Sequence, residues 1–218
     1  MIKRFTFNHF GVNCYLVMED ERNSSGLPRQ CAIVDPAAEA TYEEAQLTQY
    51  IEYHGLTPAF ILLTHAHIDH IAGLRSICSR YHLPVTMHPD GVKLLRQAEA
   101  YASIMGFEVE NMDGMEVREI QDNDILTLGE TKIECRHVPG HCPGSICYVL
   151  PGEEAVITGD ALFQGSIGRT DLPGGNYPLL IEKIKSRLLT LPDDYAVLPG
   201  HGDTSTIGDE RRFNGFLL

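Results

Sequence analysis

Residues 59–73 read AFILLTHAHIDHIAG, an apolar run that stops abruptly at three histidines and an aspartate within six positions. The run over 59–64 has the length and composition of a buried strand. His65, His67, Asp69 and His70 follow it, in a turn expected to lead into a helix over about 69–81. Imidazoles and a carboxylate at such a place are costly to bury unless a partner compensates them. A metal ion is the partner that fits, because histidine nitrogens and carboxylate oxygens are the donors of catalytic metal sites. His65 and His67 are two apart and can face one way in an extended turn. Asp69 and His70 then point to a second, adjacent position.

Further donors stand at other strand ends. His141 in HVPGHCPGS, Asp160 in ITGDALF and His201 in VLPGHGDTS each follow an apolar run and lie beside glycine. Glycine there permits a tight turn and a close approach. Around these points the pattern predicts strands at 2–7, 12–18 and 31–35, with NSSGLP (23–28) as a turn. A helix over 42–55 ending at Gly55 comes next, then the strand and helix of the opening stretch, and a strand at 83–88. Residues 89–112 read as helical, followed by strands at 124–128, 131–138, 146–150 and 154–160. A helix over 177–191 and a strand at 195–201 close the chain. The two halves are alike in layout, with strands ending in LLTH and VLPGH. Two mixed sheets packed face to face with helices outside, an α/β fold of four αββα layers, bring such strand ends to one rim. A TIM barrel needs more chain and a more regular alternation.

At 218 residues, 43% hydrophobic and 22% charged, the composition suits one globular domain spanning 1–218. No stretch approaches the length of a membrane span, and the N-terminal MIKRFTFNHFG lacks the apolar core of a signal peptide. A cytoplasmic location is the expectation. Cys14, Cys31, Cys78, Cys135, Cys142 and Cys147 form no CxxC pair and are expected as reduced, buried small hydrophobes. Cys142 stands apart because it follows His141. The net charge of −13, without a basic stripe, disfavours a nucleic-acid partner.

HxHxDH, followed in order by a later His, a later Asp and a final His, resembles the metallo-β-lactamase superfamily, with every ligand position from Thr64 to His201 filled. The resemblance implies the same αββα sandwich and two divalent metal ions, Zn²⁺ first, with Fe or Mn as alternatives. It assigns His65, His67 and His141 to one ion, Asp69, His70 and His201 to the other, and Asp160 as the bridge. Asp35, in AIVDP, matches a strand-end aspartate that supports a ligand imidazole from behind. His9, His54, His82 and His88 are read as structural, and His137 as a strand or supporting residue.

Within the superfamily, GDALFQGSIGRTDLPGG (159–175) fits both glyoxalase II-like thioester hydrolases and persulfide dioxygenases. The tail LPGHGDTSTIGDERRFNGFL (198–217) is similar to a compact glyoxalase II-like, hydroxyacylglutathione hydrolase-like subgroup, with Gly215 where a proline is usual. True β-lactamases with this motif commonly carry cysteine where this chain has Asp160. The implied activity is hydrolysis of small-molecule thioesters such as S-D-lactoylglutathione by a metal-bridging hydroxide. Asp69 would both ligate and orient the nucleophile. The alternative is a glutathione persulfide dioxygenase with a single iron held by two His and one Asp. Neither nucleic acid nor membrane is an expected partner, and the pattern leaves the oligomeric state open. Arg169, in GRTD, is a candidate for clamping a substrate carboxylate, or for fixing its loop by pairing with an internal acid. The insert over 89–115 is expected either as a lid over the site or as a packed outer helix.

Overall fold

A computed structural model of the chain describes residues 1–19, 28–105 and 109–218. The first sheet begins with β1 (Ile2–Phe7) and β2 (Val12–Met18), an antiparallel pair whose turn places Asn8 (φ +51°) and Gly11 (φ +69°) in the left-handed region. All seven residues of β2 are buried, as in a strand covered on both faces. β3 (Gln30–Val34) pairs with β2, and α1 (Thr41–Tyr53) crosses to β4 (Thr57–Leu62), parallel to β3. After α2 (Leu74–Tyr81) come β5 (Val85–Met87), α3 (Val92–Arg96), α4 (Ala98–Met105) and β6 (Val117–Glu119). The sheet order is β1-β2-β3-β4-β5-β6.

The second sheet is built from β7 (Ile125–Leu128), β8 (Thr131–His137), β9 (Ile146–Leu150) and β10 (Ala155–Gly159). A small hairpin of β11 (Leu162–Phe163) and β12 (Ser166–Ile167) precedes α5 (Tyr177–Lys183). Then follow β13 (Ala196–Pro199), β14 (Ser205–Thr206) and α6 (Ile207–Phe213), giving the sheet order β14-β13-β10-β9-β8-β7.

Three apolar clusters show the layering. The inner one joins Tyr15, Val34 and Leu62 of the first sheet to Ile133, Tyr148 and Ile157 of the second. A second lies between the first sheet and α1 and α2, through Leu47, Ile51, Leu74 and Ile77. The third seats α5, the turn that follows it and α6 on the second sheet through Leu180, Ile184 and Ile207. This is the αββα sandwich anticipated from the two half-similar layouts. Both inner-core tyrosines satisfy their hydroxyls at strand ends near the rim: Tyr148 donates to the Leu63 carbonyl (2.6 Å) and Tyr15 to the Pro199 carbonyl (2.7 Å).

Several boundaries differ from expectation. The helix expected over 69–81 begins only at Leu74, because 69–73 form turns whose backbone serves other partners; the Asp69 carbonyl accepts from Asn8. The insert is broken into a 3₁₀ turn (Pro89–Gly91), α3 and α4 rather than one helix. Its far end is tied down, with Arg96 donating to the Met112 and Met115 carbonyls and Arg75 to those of Asn111 and Asp113. The helix expected over 177–191 is α-helical only to Lys183 and continues as a π-turn over Ile184–Leu188. The turn expected over 23–28 lies, except for Pro28, outside the described residues. All six cysteines are free and buried, and no helix among the described residues is long and apolar enough to cross a membrane.

Candidate metal centre

The structure gathers His65, His67, Asp69, His70, His141, Asp160 and His201 at the rim where β4, β8, β10 and β13 end. His67 Nδ1 lies 2.8 Å from His141 Nε2. His70 Nε2 and His201 Nε2 are 3.3 Å apart, and Asp69 Oδ2 is 3.2 Å from His201 Nε2 and 3.8 Å from His70 Nε2. Asp160 stands between: its Oδ1 is 3.3 Å from His70 Nε2, while its Oδ2 is 3.7 Å from His141 Nε2, 3.6 Å from His201 Nε2 and 4.0 Å from His65 Nε2.

Ligand-ready imidazoles need their outward nitrogen engaged, so that the inward one presents a bare lone pair. That is the pattern here. His141 Nδ1 donates to the Arg169 carbonyl (2.7 Å) and His201 Nδ1 to the Phe10 carbonyl (3.1 Å). His70 Nδ1 donates to Asp35 Oδ2 (2.9 Å), and His65 Nδ1 to Thr64 Oγ1 (3.0 Å). Thr64 passes its own hydroxyl hydrogen to Asp35 Oδ2 (2.6 Å), and its N–H to Asp35 Oδ1 (2.7 Å). The sequence singled out Asp35; it did not reveal Thr64, or the carbonyls of Phe10 and Arg169.

His65 Nε2 and Asp160 Oδ1 are buried without a hydrogen-bond partner. A buried polar group left so is expensive, and here both face into one cluster of donors. Two nitrogens bound tetrahedrally at 2.0–2.1 Å stand roughly 3.3 Å apart, close to the spacings observed. The donor set therefore fits metal ions, with His65, His67 and His141 forming one group and Asp69, His70 and His201 a second. Glycine lets the rim close this tightly: a Cβ on Gly200 would strike Asp160 Oδ1 and, at 2.8 Å, the His70 ring.

Electrostatics divide the two groups. Burial drives His65 well below the ordinary imidazole value, helped by His70 and His67, and lowers His67 to about 4. His141 is lowered by burial too, against the pull of Asp160. Burial also opposes charge on His70, yet Asp160, Asp69 and Asp35 together hold it well above the usual value. His201 is raised as well, burial being outweighed by Asp69 and Asp160. Burial works against both carboxylates, but the imidazoles, His70 foremost, hold Asp69 and Asp160 below the usual range.

These directions set a pH dependence. The first group is already neutral at pH 7, so protons compete with an ion there only in stronger acid. His70 and His201 are raised, so an ion at the second group must expel protons, and its affinity rises with pH. Zn²⁺-loaded protein dialysed against a weak chelator is expected to keep about two ions at pH 8 and about one at pH 5.5, read by elemental analysis. Parallel loss of both ions would contradict the division.

His88, Asp90 and His137 form another cluster of possible donors. The two rings stack at 3.9 Å with planes 12° apart, so their in-plane lone pairs run side by side and cannot meet at one ion. That stacking agrees with a structural His88 and with His137 as a strand or supporting residue. Cys142 is buried against Ser145 (3.3 Å), and burial pushes its thiol up to about 12.

Beside the centre opens a cavity of about 380 Å³, walled by Phe10, Ile68, Tyr101, Phe163, Leu172 and Arg169. Tyr101 brings α4 of the insert to its edge. Arg169 is paired bidentately with Asp171 (2.8 and 2.7 Å), the loop-fixing arrangement, with both side chains exposed.

Known proteins resemble this chain in sequence and in fold. A family model described as the metallo-beta-lactamase superfamily matches residues 8–201. The chain is 38% identical over 217 residues to a probable metallo-hydrolase of Bacillus subtilis, YqgX, spanning 99% of this chain and 96% of that one. It is 36% identical over 210 residues to the hydroxyacylglutathione hydrolase GloC of Haemophilus influenzae, spanning 95% and 93%. Among solved structures, the B3 metallo-beta-lactamase BLEG-1 superposes with a TM-score of 0.86 at 32% identity, over 100% of this chain and 99% of that one. TTHA1623, in a di-iron-bound form, superposes with a TM-score of 0.85 at 34% identity, over 99% and 100%.

Proposed function

The chain belongs to the metallo-beta-lactamase superfamily, and from that premise we propose that it is a binuclear metal-dependent hydrolase of thioesters, with S-D-lactoylglutathione-like compounds as its first substrate class. The observation that carries the two-ion reading is Asp160, whose two oxygens lie within 4.0 Å of donors from both groups. His65, His67 and His141 would hold one ion and Asp69, His70 and His201 the other, with Asp160 the donor available to both. The di-iron form of TTHA1623 supports two ions, and the name of the Haemophilus relative supports the thioester. Zn²⁺ is the ion proposed first; this mixed nitrogen and oxygen set also accepts Fe or Mn. The whole of 1–218 acts in this reading as one cytoplasmic unit on a small molecule.

When bound, the ions supply Lewis acidity and bring the pKa of a water down toward neutrality. The chain's residues do the rest. Asp69, at the cavity floor, accepts a hydrogen bond from the attacking water and aims it at the carbonyl. Phe10, Ile68, Phe163 and Leu172 desolvate the acyl group and hold it over the donors. The Arg169 carbonyl keeps His141 oriented, while its guanidinium, at the cavity wall and paired with Asp171, would exchange that partner for a substrate carboxylate. Arg169→Ala is expected to raise KM for S-D-lactoylglutathione roughly fivefold, the worth of an exposed charged contact, with kcat and metal content unchanged. Lost metal would instead mean that the side chain is structural.

The reading is tested by metal content measured beside three assays: loss of S-D-lactoylglutathione, oxygen uptake with glutathione persulfide, and opening of a β-lactam. About two ions per chain with thioester turnover supports it. A single iron with oxygen uptake overturns it in favour of the dioxygenase, and β-lactam turnover alone overturns the substrate class.

A further inference from the structure

The two donor groups are held by different parts of the chain. The outward nitrogen of His65 is held by Thr64, and that of His141 by the Arg169 carbonyl; neither support comes from β1 or β2. The second group leans on the β1–β2 hairpin. The Phe10 carbonyl accepts from His201 Nδ1 (3.1 Å), and Val12 forms a bridge with His201 itself. Asn13 donates its N–H to the Gly200 carbonyl (2.7 Å) and its amide to the carbonyls of Pro199 and Gly202 (3.0 Å each), on both sides of His201.

Asp69 is reached from the same hairpin by the Asn8 side chain. Asn8 Nδ2 donates to the Asp69 carbonyl (2.9 Å) and to the Ala37 carbonyl (3.0 Å). Its Oδ1 accepts from the Phe10 N–H (3.0 Å), fixing the residue whose carbonyl orients His201, and its own N–H donates to the buried Glu43 (2.8 Å). Asn8 stands at φ +51°, a left-handed conformation that asparagine tolerates better than most residues. One amide thus couples the positions of Asp69 and His201, whose ligand atoms must meet at one point.

We propose that Asn8 is a positioning residue that makes the centre binuclear: it sets the Asp69–His201 spacing on which the second ion depends and leaves the first ion's ligands untouched. The proposal rests on the reading of Asp69, His70 and His201 as the second ion's ligands. Support of this kind behind a ligand changes metal affinity by about 10- to 100-fold when removed.

The test is titration of metal-free protein with Zn²⁺ against a competing chelator, with metal content and the melting temperature of the metal-free chain read alongside. Asn8→Gly keeps the left-handed backbone and deletes the amide; Asn8→Asp keeps the acceptor for Phe10 and sets an oxygen against two carbonyls. Both are expected to weaken the second ion by about 10- to 100-fold while the first ion's affinity stays near the parent's; the metal-free melting temperature stays near the parent's in Asn8→Gly and falls in Asn8→Asp. Should Asn8→Asp fail to fold, Asn8→Gly decides the matter. Parent-like affinity for the second ion in the variants, or equal weakening of both ions, overturns the proposal. A parent chain that binds a single ion overturns the two-ion reading with it, and that result is visible before any variant is made.

Discussion

Asp160→Ala is expected to reduce thioester turnover at least ~10³-fold, about 4 kcal/mol of barrier, and to leave the protein with fewer than two ions. The carboxylate is surrounded by inward-facing nitrogens of His65, His70, His141 and His201 at 3.3–4.0 Å. In the parent chain its charge helps to hold His70 and His201 above the ordinary imidazole value and opposes the lowering of His141. Deleting it removes a donor from both groups at once and lets the remaining cations repel each other across the gap. Asp160→Asn is the sharper companion. It keeps the shape, but an amide offers one oxygen where two are used, so one group keeps a partner and the other faces two N–H hydrogens. Elemental analysis is expected to show partial metal in Asp160→Asn and a deeper deficit in Asp160→Ala. Full loading and near-parent turnover in both variants would remove the bridge from the reading.

The cluster of candidate donors was legible because its members stand at or just after the ends of apolar runs, a contrast that a strand feeding a site cannot hide. The sandwich was legible for a related reason: buried strands such as β2, β9 and β10 are near-continuous apolar stretches. What supports the ligands was mostly hidden. Phe10 and Arg169 act through carbonyls, which every residue carries, so no residue type announces the role. Asn8 reads as an ordinary turn residue until the fold brings Asp69 beside it. β6 and β14 are too short to show a period, and their pairing is decided by neighbouring strands. The π-turn after α5 has no local signal of its own. α6 did have one: Thr206 caps the Asp209 N–H, a spacing of three that marks a helix start.

Asp35→Asn is expected to be nearly as damaging as the loss of a ligand, although Asp35 is named here only as a support. Its Oδ2 accepts two hydrogens, from Thr64 Oγ1 and from His70 Nδ1, and Thr64 Oγ1 in turn accepts from His65 Nδ1. The chain of hydrogens runs toward the carboxylate, so each imidazole in its neutral form carries Nδ1–H and keeps Nε2 bare for the centre; His70, held above the usual value in the metal-free chain, reaches that form once its extra proton is expelled. An amide NH₂ in place of Oδ2 reverses it. One hydrogen goes to His70 Nδ1 and the other to Thr64 Oγ1, whose own hydrogen then turns to His65 Nδ1. Both histidines are left with the proton on Nε2, pointed at the place where an ion must sit. Replacing an orienting aspartate by asparagine costs about 10⁴ in a serine-protease triad for the same tautomeric reason, and weakened support behind a metal ligand costs about 10- to 100-fold in affinity. Since one ligand from each group is affected here, a loss of about 10²–10⁴ in Zn²⁺ affinity is expected, distributed over both ions rather than confined to the second. That distribution separates it from Asn8→Gly, whose damage falls on one group. Nitrogen-15 imidazole shifts of His65, which is neutral in the metal-free chain, would show the protonated Nε2 directly. If His65 kept the Nδ1–H tautomer and both ions bound as in the parent, the Asp35–Thr64 relay would not be what prepares this site.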